Sequence, residues 1–253
     1  MKHPNLSEER KLWKKGYKIV VGLDEAGRGA LSGPVVAGAV TILDIKYQIP
    51  AFTKVSAGRQ NIKIRDSKQL SFSQREKIYR TILNDSRLRW GIGIVSEKII
   101  DRINILEATK LAMGRAVKNL SKKLKKDHAR KPTIVGNCDC LILDGNFTLP
   151  AVALALPKPS AKRRLAKAGI NKSIPQKSII KGDEKVFSCA AASILAKVTR
   201  DRIMLNYHKE YPEYRFDLHK GYGTKLHLKR LKRYGPCSIH RKTFKPVFTI
   251  VKN

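Results

Sequence analysis

A chain of 253 residues, 42% of them hydrophobic, is long enough for one large domain with appendages around a real core. Its 53 Lys+Arg against 20 Asp+Glu give a formal net charge of +33, which calls for a polyanionic partner, nucleic acid before any other. No apolar run reaches the length of a membrane span, the first sixteen residues lack the apolar stretch of a secretory signal, and Cys138, Cys140, Cys189 and Cys237 lack zinc-type spacing. We therefore expect a cytoplasmic protein with reduced thiols rather than a membrane, secreted or zinc-finger protein.

Residues 1–17 form a polar, basic arm with the makings of a short helix. Lys18–Leu23 is a short β-branched run, the pattern of a buried strand, and it ends in the adjacent acids Asp24 and Glu25. Gly27-Arg28-Gly29 follows at once, where the glycines let backbone N–H groups come close to a ligand. Pro34–Leu43 predicts a second strand with proline at its entry. Ile45–Ile62 is an irregular basic loop. Ser73 and Glu76 have the spacing of a capping box, with Ile78, Ile82 and Leu83 as the apolar face of the helix behind it. Trp90–Val95 predicts a third strand. Leu106–Leu124 is an amphipathic helix with Leu106, Met113, Val117, Leu120 and Leu124 on one stripe.

Leu141–Gly145 repeats the opening pattern, an apolar run ended by Asp144 and then glycine. Leu156–Ser178 is a basic insertion rich in Pro, Lys, Arg and Ala. A short edge strand at Ser178–Ile180 leads to Lys181-Gly182-Asp183, and Phe187–Tyr207 is a strong helix, alanine-rich and so fitted for close packing. His219–Thr224 is a glycine-rich loop before a basic helix. Strands come first, with helices between and after them. This order predicts an α/β domain with a mixed sheet flanked by helices over 18–220 and a helical C-terminal region over 221–253.

Asp24, Glu25, Asp144 and Asp183 all stand where a strand-like run stops or a helix starts, and such ends gather along one rim of a layered domain. Each has a plain structural reading: Asp144 before Gly145 is an ordinary turn, and Asp183 a capping acid. Together they would repel unless neutralised by hard divalent cations, Mg²⁺ or Mn²⁺. Two such ions about 3.5–4 Å apart activate a water and stabilise the leaving oxygen of an in-line displacement at phosphorus. Asp201, within Thr199–Arg202, is read as a salt-bridge partner on a helix surface.

Taken together, Leu23–Gly29 with Gly33-Pro34-Val35, Asp66–Leu70, Ala191–Asp201, Gly221–Thr224, and Gly235-Pro236 with Ile239–Lys242 resemble the ribonuclease HII family, in family order across residues 18–247, in the bacterial form. The resemblance implies a ribonuclease H-like fold with Asp24, Glu25, Asp144 and Asp183 as metal-binding catalytic carboxylates. It implies that Gly27, Arg28 and Gly29 read a ribose 2′-hydroxyl, that Tyr222 stacks on the neighbouring sugar, and that Lys68, Lys181 and Lys197 contact phosphate. The implied activity is hydrolysis 5′ of ribonucleotides, in RNA–DNA hybrids and embedded singly in duplex DNA, by a cytoplasmic monomer with two Mg²⁺ or Mn²⁺ ions. Between Asp144 and Asp183 the chain runs longer than the family pattern, the surplus being the basic insertion. A non-catalytic nucleic-acid-binding protein would have lost one of the four acids, and none is lost. Another nuclease of the same fold would lack the Gly-Arg-Gly loop beside them.

Overall fold

The computed structural model describes residues 3–50, 64, 67, 70–130, 138–150 and 174–252. The expected loop Ile45–Ile62 lies outside these from residue 51 on, as do Asp66, Lys68 and residues 156–173 of the basic insertion.

Among the described residues, five strands form one mixed sheet in the order β3-β2-β1-β4-β5. The first strand, β1, is Val20–Ala26. It does not stop before the acids as the apolar run suggests. Antiparallel pairing with β2, Val35–Ile42, carries it on, with Asp24 opposite Gly38 and Glu25 opposite Ala37. Leu88–Val95 forms β3, antiparallel to β2. On the other side of β1, Cys140–Asp144 (β4) and Gln176–Ile179 (β5) run parallel to it and to each other.

The helices are α1 (Ser7–Lys14), α2 (Phe72–Asn84), α3 (Glu97–Arg130), α4 (Gly182–Lys185) and α5 (Phe187–Glu210). They are followed by a 3₁₀ turn at Pro212–Tyr214 and by α6 (Phe216–His219), α7 (Lys225–Tyr234) and α8 (Lys245–Lys252). Helix α3 covers one face of the sheet, packing Ala112, Met113, Ala116 and Leu120 on Val21, Leu23, Ala37 and Ala39. Helix α5 covers the other, its Ala190–Ala192 stretch lying against β1 and β2. Two glycines set the closeness of these contacts. A Cβ on Gly38 would collide with the Ala192 carbonyl, and one on Gly93 with the Ala112 carbonyl. The alanine-rich composition of α5 is thus explained by contact with bare strand backbone.

Local details differ from expectation where tertiary context decides. The capping box at α2 is Ser71 with Gln74: the Ser71 Oγ accepts the Gln74 N–H at 3.3 Å, and the Gln74 side chain accepts the Ser71 N–H at 2.9 Å. The same spacing recurs two residues on, at Ser73 and Glu76, inside the helix. Helix α3 is broken at Asn104 (φ 64°, ψ 167°), whose side chain accepts the N–H groups of Leu106 and Glu107 and so starts the helix afresh. Leu106, in the first turn after that break, is exposed and does not join the buried stripe.

The first helix is more than a basic arm in its packing, because Leu6 and Leu12 are buried. Glu9, fully buried, accepts the Ser188 N–H at 2.9 Å. An acid there complements the positive end of α5 and satisfies one of its unbonded N–H groups. Burial pushes the Glu9 carboxyl above its usual range. All four cysteines are free.

Candidate active site

The parallel register of β1 and β4, with Leu23 opposite Leu143, brings Asp24 and Asp144 side by side at one end of the sheet. Beyond β5 the chain turns through Lys181, whose backbone is left-handed (φ 58°, ψ 47°), into α4. The Gly182 N–H donates to the Asp144 carboxylate at 2.8 Å, which fixes the turn against β4. Asp183, the next residue, is thereby brought to the same point. One carboxylate oxygen from each of Asp24, Asp144 and Asp183 lies within 4.8 Å of the others.

Asp24 and Asp183 are buried, each with 5% of its surface exposed. Burial first, then the charges of Glu25 and Asp144, pushes the Asp24 carboxyl well above its usual range, partly offset by a hydrogen bond from Ser193. Three carboxylates this close are costly unless protonated or matched by a cation. The donor set is entirely carboxylate oxygen, which suits a hard ion such as Mg²⁺ or Mn²⁺.

Glu25 does not join this group. Neighbours on a strand point to opposite faces, and the Glu25 carboxylate turns to Arg28, whose Nη1 donates to it at 3.2 Å. It still lines the same cleft, of about 540 Å³, together with Asp24, Asp144, Gly27, Arg28 and Gly29. Tyr222 and Lys197 also line the cleft. Tyr222, half-buried, is joined to the loop after β1 by a bridge with Ala30. Its ring has Lys197 Nζ at 5.5 Å and the Arg200 guanidinium at 5.2 Å.

The lysines divide. The Lys197 ammonium faces the cleft and pairs with Asp201 at 2.8 Å. Lys181, its side chain 66% exposed, pairs with Glu184 at 3.2 Å and does not line the cleft. Lys68 lies outside the described residues. Asp201 is indeed an ion-pair partner, but it is buried at 4% exposure and is not on the helix surface.

Ser67, Arg75 and Ser193 also line the cleft, although the sequence reading gave them no role; Ser67 and Ser193 fall inside the Asp66–Leu70 and Ala191–Asp201 motifs. The Ser67 and Ser193 hydroxyls lie 3.1 Å apart, and Arg75 Nη1 donates to the Ser67 carbonyl at 2.8 Å. Ser193 carried a signal, a polar residue following the buried Ala190–Ala192 stretch. Arg75, near the start of an ordinary helix, carried none.

The family model of ribonuclease HII matches residues 21–129 and 156–248. Asp144 falls between the matched segments, so its membership of the cluster rests on strand register and distance. Ribonuclease HII of Chlamydia caviae is 42% identical over 243 residues, covering 96% of this chain and 92% of that protein. Ribonuclease HII of Bacillus velezensis is 43% identical over 239 residues, covering 94% and 74%. Among solved structures, ribonuclease H2 from Pyrococcus horikoshii OT3 superposes with a TM-score of 0.57 at 27% identity, over 92% of this chain and 97% of that one. Bst-RNase HIII in complex with Mn²⁺ gives 0.60 at 18% identity, over 92% and 69%, a likeness of fold alone.

Proposed function

The chain belongs to the ribonuclease HII family and is a ribonuclease H nuclease, and from that premise we propose that it cuts the phosphodiester on the 5′ side of ribonucleotides, leaving a 3′-hydroxyl and a 5′-phosphate. The substrates are RNA–DNA hybrids and duplex DNA carrying a single ribonucleotide. The observation that carries this reading is the meeting of Asp24, Asp144 and Asp183 within 4.8 Å in the cleft that the Gly27–Gly29 loop lines. A phosphate-cleaving centre and a group able to inspect the adjoining sugar then share one opening.

Asp24, Asp144 and Asp183 would hold divalent cations, Mg²⁺ or Mn²⁺, with Glu25 beside them on the cleft wall. When bound, two such ions supply a water activated at neutral pH and charge stabilisation for the leaving oxygen. The protein's own residues do the rest. Asp24, whose neutral form burial favours, would hold the ion as its carboxylate. The Gly182 N–H holds the Asp144 carboxylate in one orientation. Lys197 and Arg75, which both line the cleft, lie where they can meet a backbone phosphate.

Sugar identity is read at the Gly27–Gly29 loop, since the 2′-hydroxyl is what distinguishes RNA from DNA at a given position. Gly29 is exposed, and a Cβ there would stand in open space within the cleft. A glycine with room for a side chain is explained if a ligand takes that room. Tyr222 presents its ring across the cleft as a stacking face for the next sugar. The net charge of +33 draws in the duplex through its phosphates.

The test is a DNA duplex with one ribonucleotide, incubated with Mg²⁺ and then with chelator, its products mapped at single-nucleotide resolution. A cut 5′ of the ribonucleotide, abolished by chelator, is expected. Cleavage at DNA positions, or on the 3′ side, would contradict the reading.

A further inference from the structure

Arg200 of α5 and Arg241, between α7 and α8, are both fully buried at 0% exposure. A guanidinium out of water is costly unless its rigid fork of donors is satisfied. Here the fork is met by backbone carbonyls. Arg200 donates to the carbonyls of Pro34 at 2.9 Å, Ser32 at 3.0 Å and Lys220 at 2.9 Å. Arg241 donates to those of Gly33 at 3.0 Å, Arg28 at 2.9 Å and Gly27 at 2.7 Å. Two side chains distant in sequence thus grip the stretch that begins at Gly27.

The bonds to Gly27 and Arg28 have a geometric consequence. In a planar trans peptide the C=O and the following N–H point in opposite directions. Two successive carbonyls drawn to one guanidinium therefore turn the N–H groups of Arg28 and Gly29 the other way, toward the cleft those residues line. Successive N–H groups facing one side form a concavity suited to an oxygen acceptor. Gly27 completes the device. Its backbone is left-handed (φ 95°), and a Cβ on it would collide with the Arg200 side chain.

We infer that Arg241 is a positioning residue for sugar recognition: through the carbonyls of Gly27 and Arg28 it aims two backbone amides at the ribose 2′-oxygen. The inference rests on the reading of the Gly27–Gly29 loop given above. It also gives the C-terminal segment a part in substrate choice, since Arg241 reaches the loop from the far end of the chain. Lysine cannot replace it, because an ammonium is a single point and lacks the planar fork that meets two carbonyls at once.

The experiment compares two duplexes of identical sequence in chelator, one all-DNA and one with a single ribonucleotide, binding to the parent and to Arg241→Lys. The parent should prefer the ribonucleotide duplex. In Arg241→Lys that preference should shrink about tenfold, the worth of one or two hydrogen bonds. Its affinity for all-DNA should stay at the parent value, because phosphate contacts are untouched. In cleavage assays the loss should fall more on KM than on kcat. A parent that binds both duplexes alike overturns the loop reading and this inference with it. A discriminating parent beside a folded Arg241→Lys that discriminates equally overturns the inference alone. Amide hydrogen exchange on the parent needs no variant to fold. The Arg28 and Gly29 amides should exchange fast in the free protein and become protected by the ribonucleotide duplex but not by all-DNA. Slow exchange of both in the free protein would show that they point inward, and the inference would fall.

Discussion

His227 and His240 meet edge to edge, Nε2 to Nε2, at 3.1 Å. The Cys237 N–H donates to His240 Nδ1 at 3.0 Å, so that nitrogen carries no proton and His240 is the Nε2–H tautomer. It must donate to His227 Nε2, which leaves the His227 proton on Nδ1, 3.0 Å from the Tyr222 carbonyl. A chain of two neutral imidazoles thus holds the backbone of the residue whose ring faces the cleft.

Acid should weaken this support. Burial first, then the charge of His219, lowers His227 to about 4; burial, then the charge of His227, lowers His240 to about 3. Above the unfolded value of 6.5 both states are neutral and the contribution is whole. Below it the unfolded chain takes up protons that the folded chain refuses, so stability falls with pH from 6.5 toward 4. Each histidine adds at most about 1.4 kcal/mol per pH unit to that slope. Urea unfolding of the parent and of His240→Gln between pH 7.5 and 5 checks this. The variant's slope should be shallower by up to that amount, and equal slopes would contradict it.

Gly27 and Gly29 should respond oppositely to alanine. Gly27→Ala meets a left-handed backbone and the Arg200 side chain, and should lose about 2–3 kcal/mol of stability. Gly29→Ala meets open space and should stay within about 0.5 kcal/mol of the parent. Its cleavage should nevertheless drop, because the new methyl occupies the cleft where the ribose is proposed to lie. Thermal unfolding and single-turnover cleavage of both variants separate the two effects.

Tyr222→Ala should slow cleavage at a single embedded ribonucleotide more than in a long hybrid, by about tenfold, within the range of one lost stacking contact. Tyr222→Phe keeps the ring over Lys197 and Arg200 and should be milder. Equal losses on both substrates would assign Tyr222 to folding.

How far the sequence could be read is clearest at the two ends of β1. Its apolar run, the acids after it, the matching run before Asp144 and the alanine-rich α5 were all legible, because burial imposes local patterns. What needed coordinates was pairing. Only the β1–β2 register reveals that Asp24 and Glu25 lie within the strand, opposite Gly38 and Ala37. Arg200 and Arg241 look like surface residues in a basic chain, since nothing local announces that carbonyls from residues 27–34 will close over them. Glu9 and Asp201 were illegible for the same reason, each buried by a partner distant in sequence or hidden by the turn of a helix.

The Asp24, Asp144 and Asp183 carboxylates are proposed as the metal-holding centre of a ribonucleotide-directed nuclease. The most direct measurement is single-turnover cleavage, with saturating Mg²⁺, of a single-ribonucleotide duplex by Asp24→Asn, which removes one negative ligand while keeping the shape. Cleavage should fall by about 100-fold or more, since even the outer partners of metal ligands cost 10–100-fold. Duplex binding should survive, because the positive surface is unchanged. A folded Asp24→Asn protein cleaving within a few-fold of the parent would rule out Asp24 as a metal ligand.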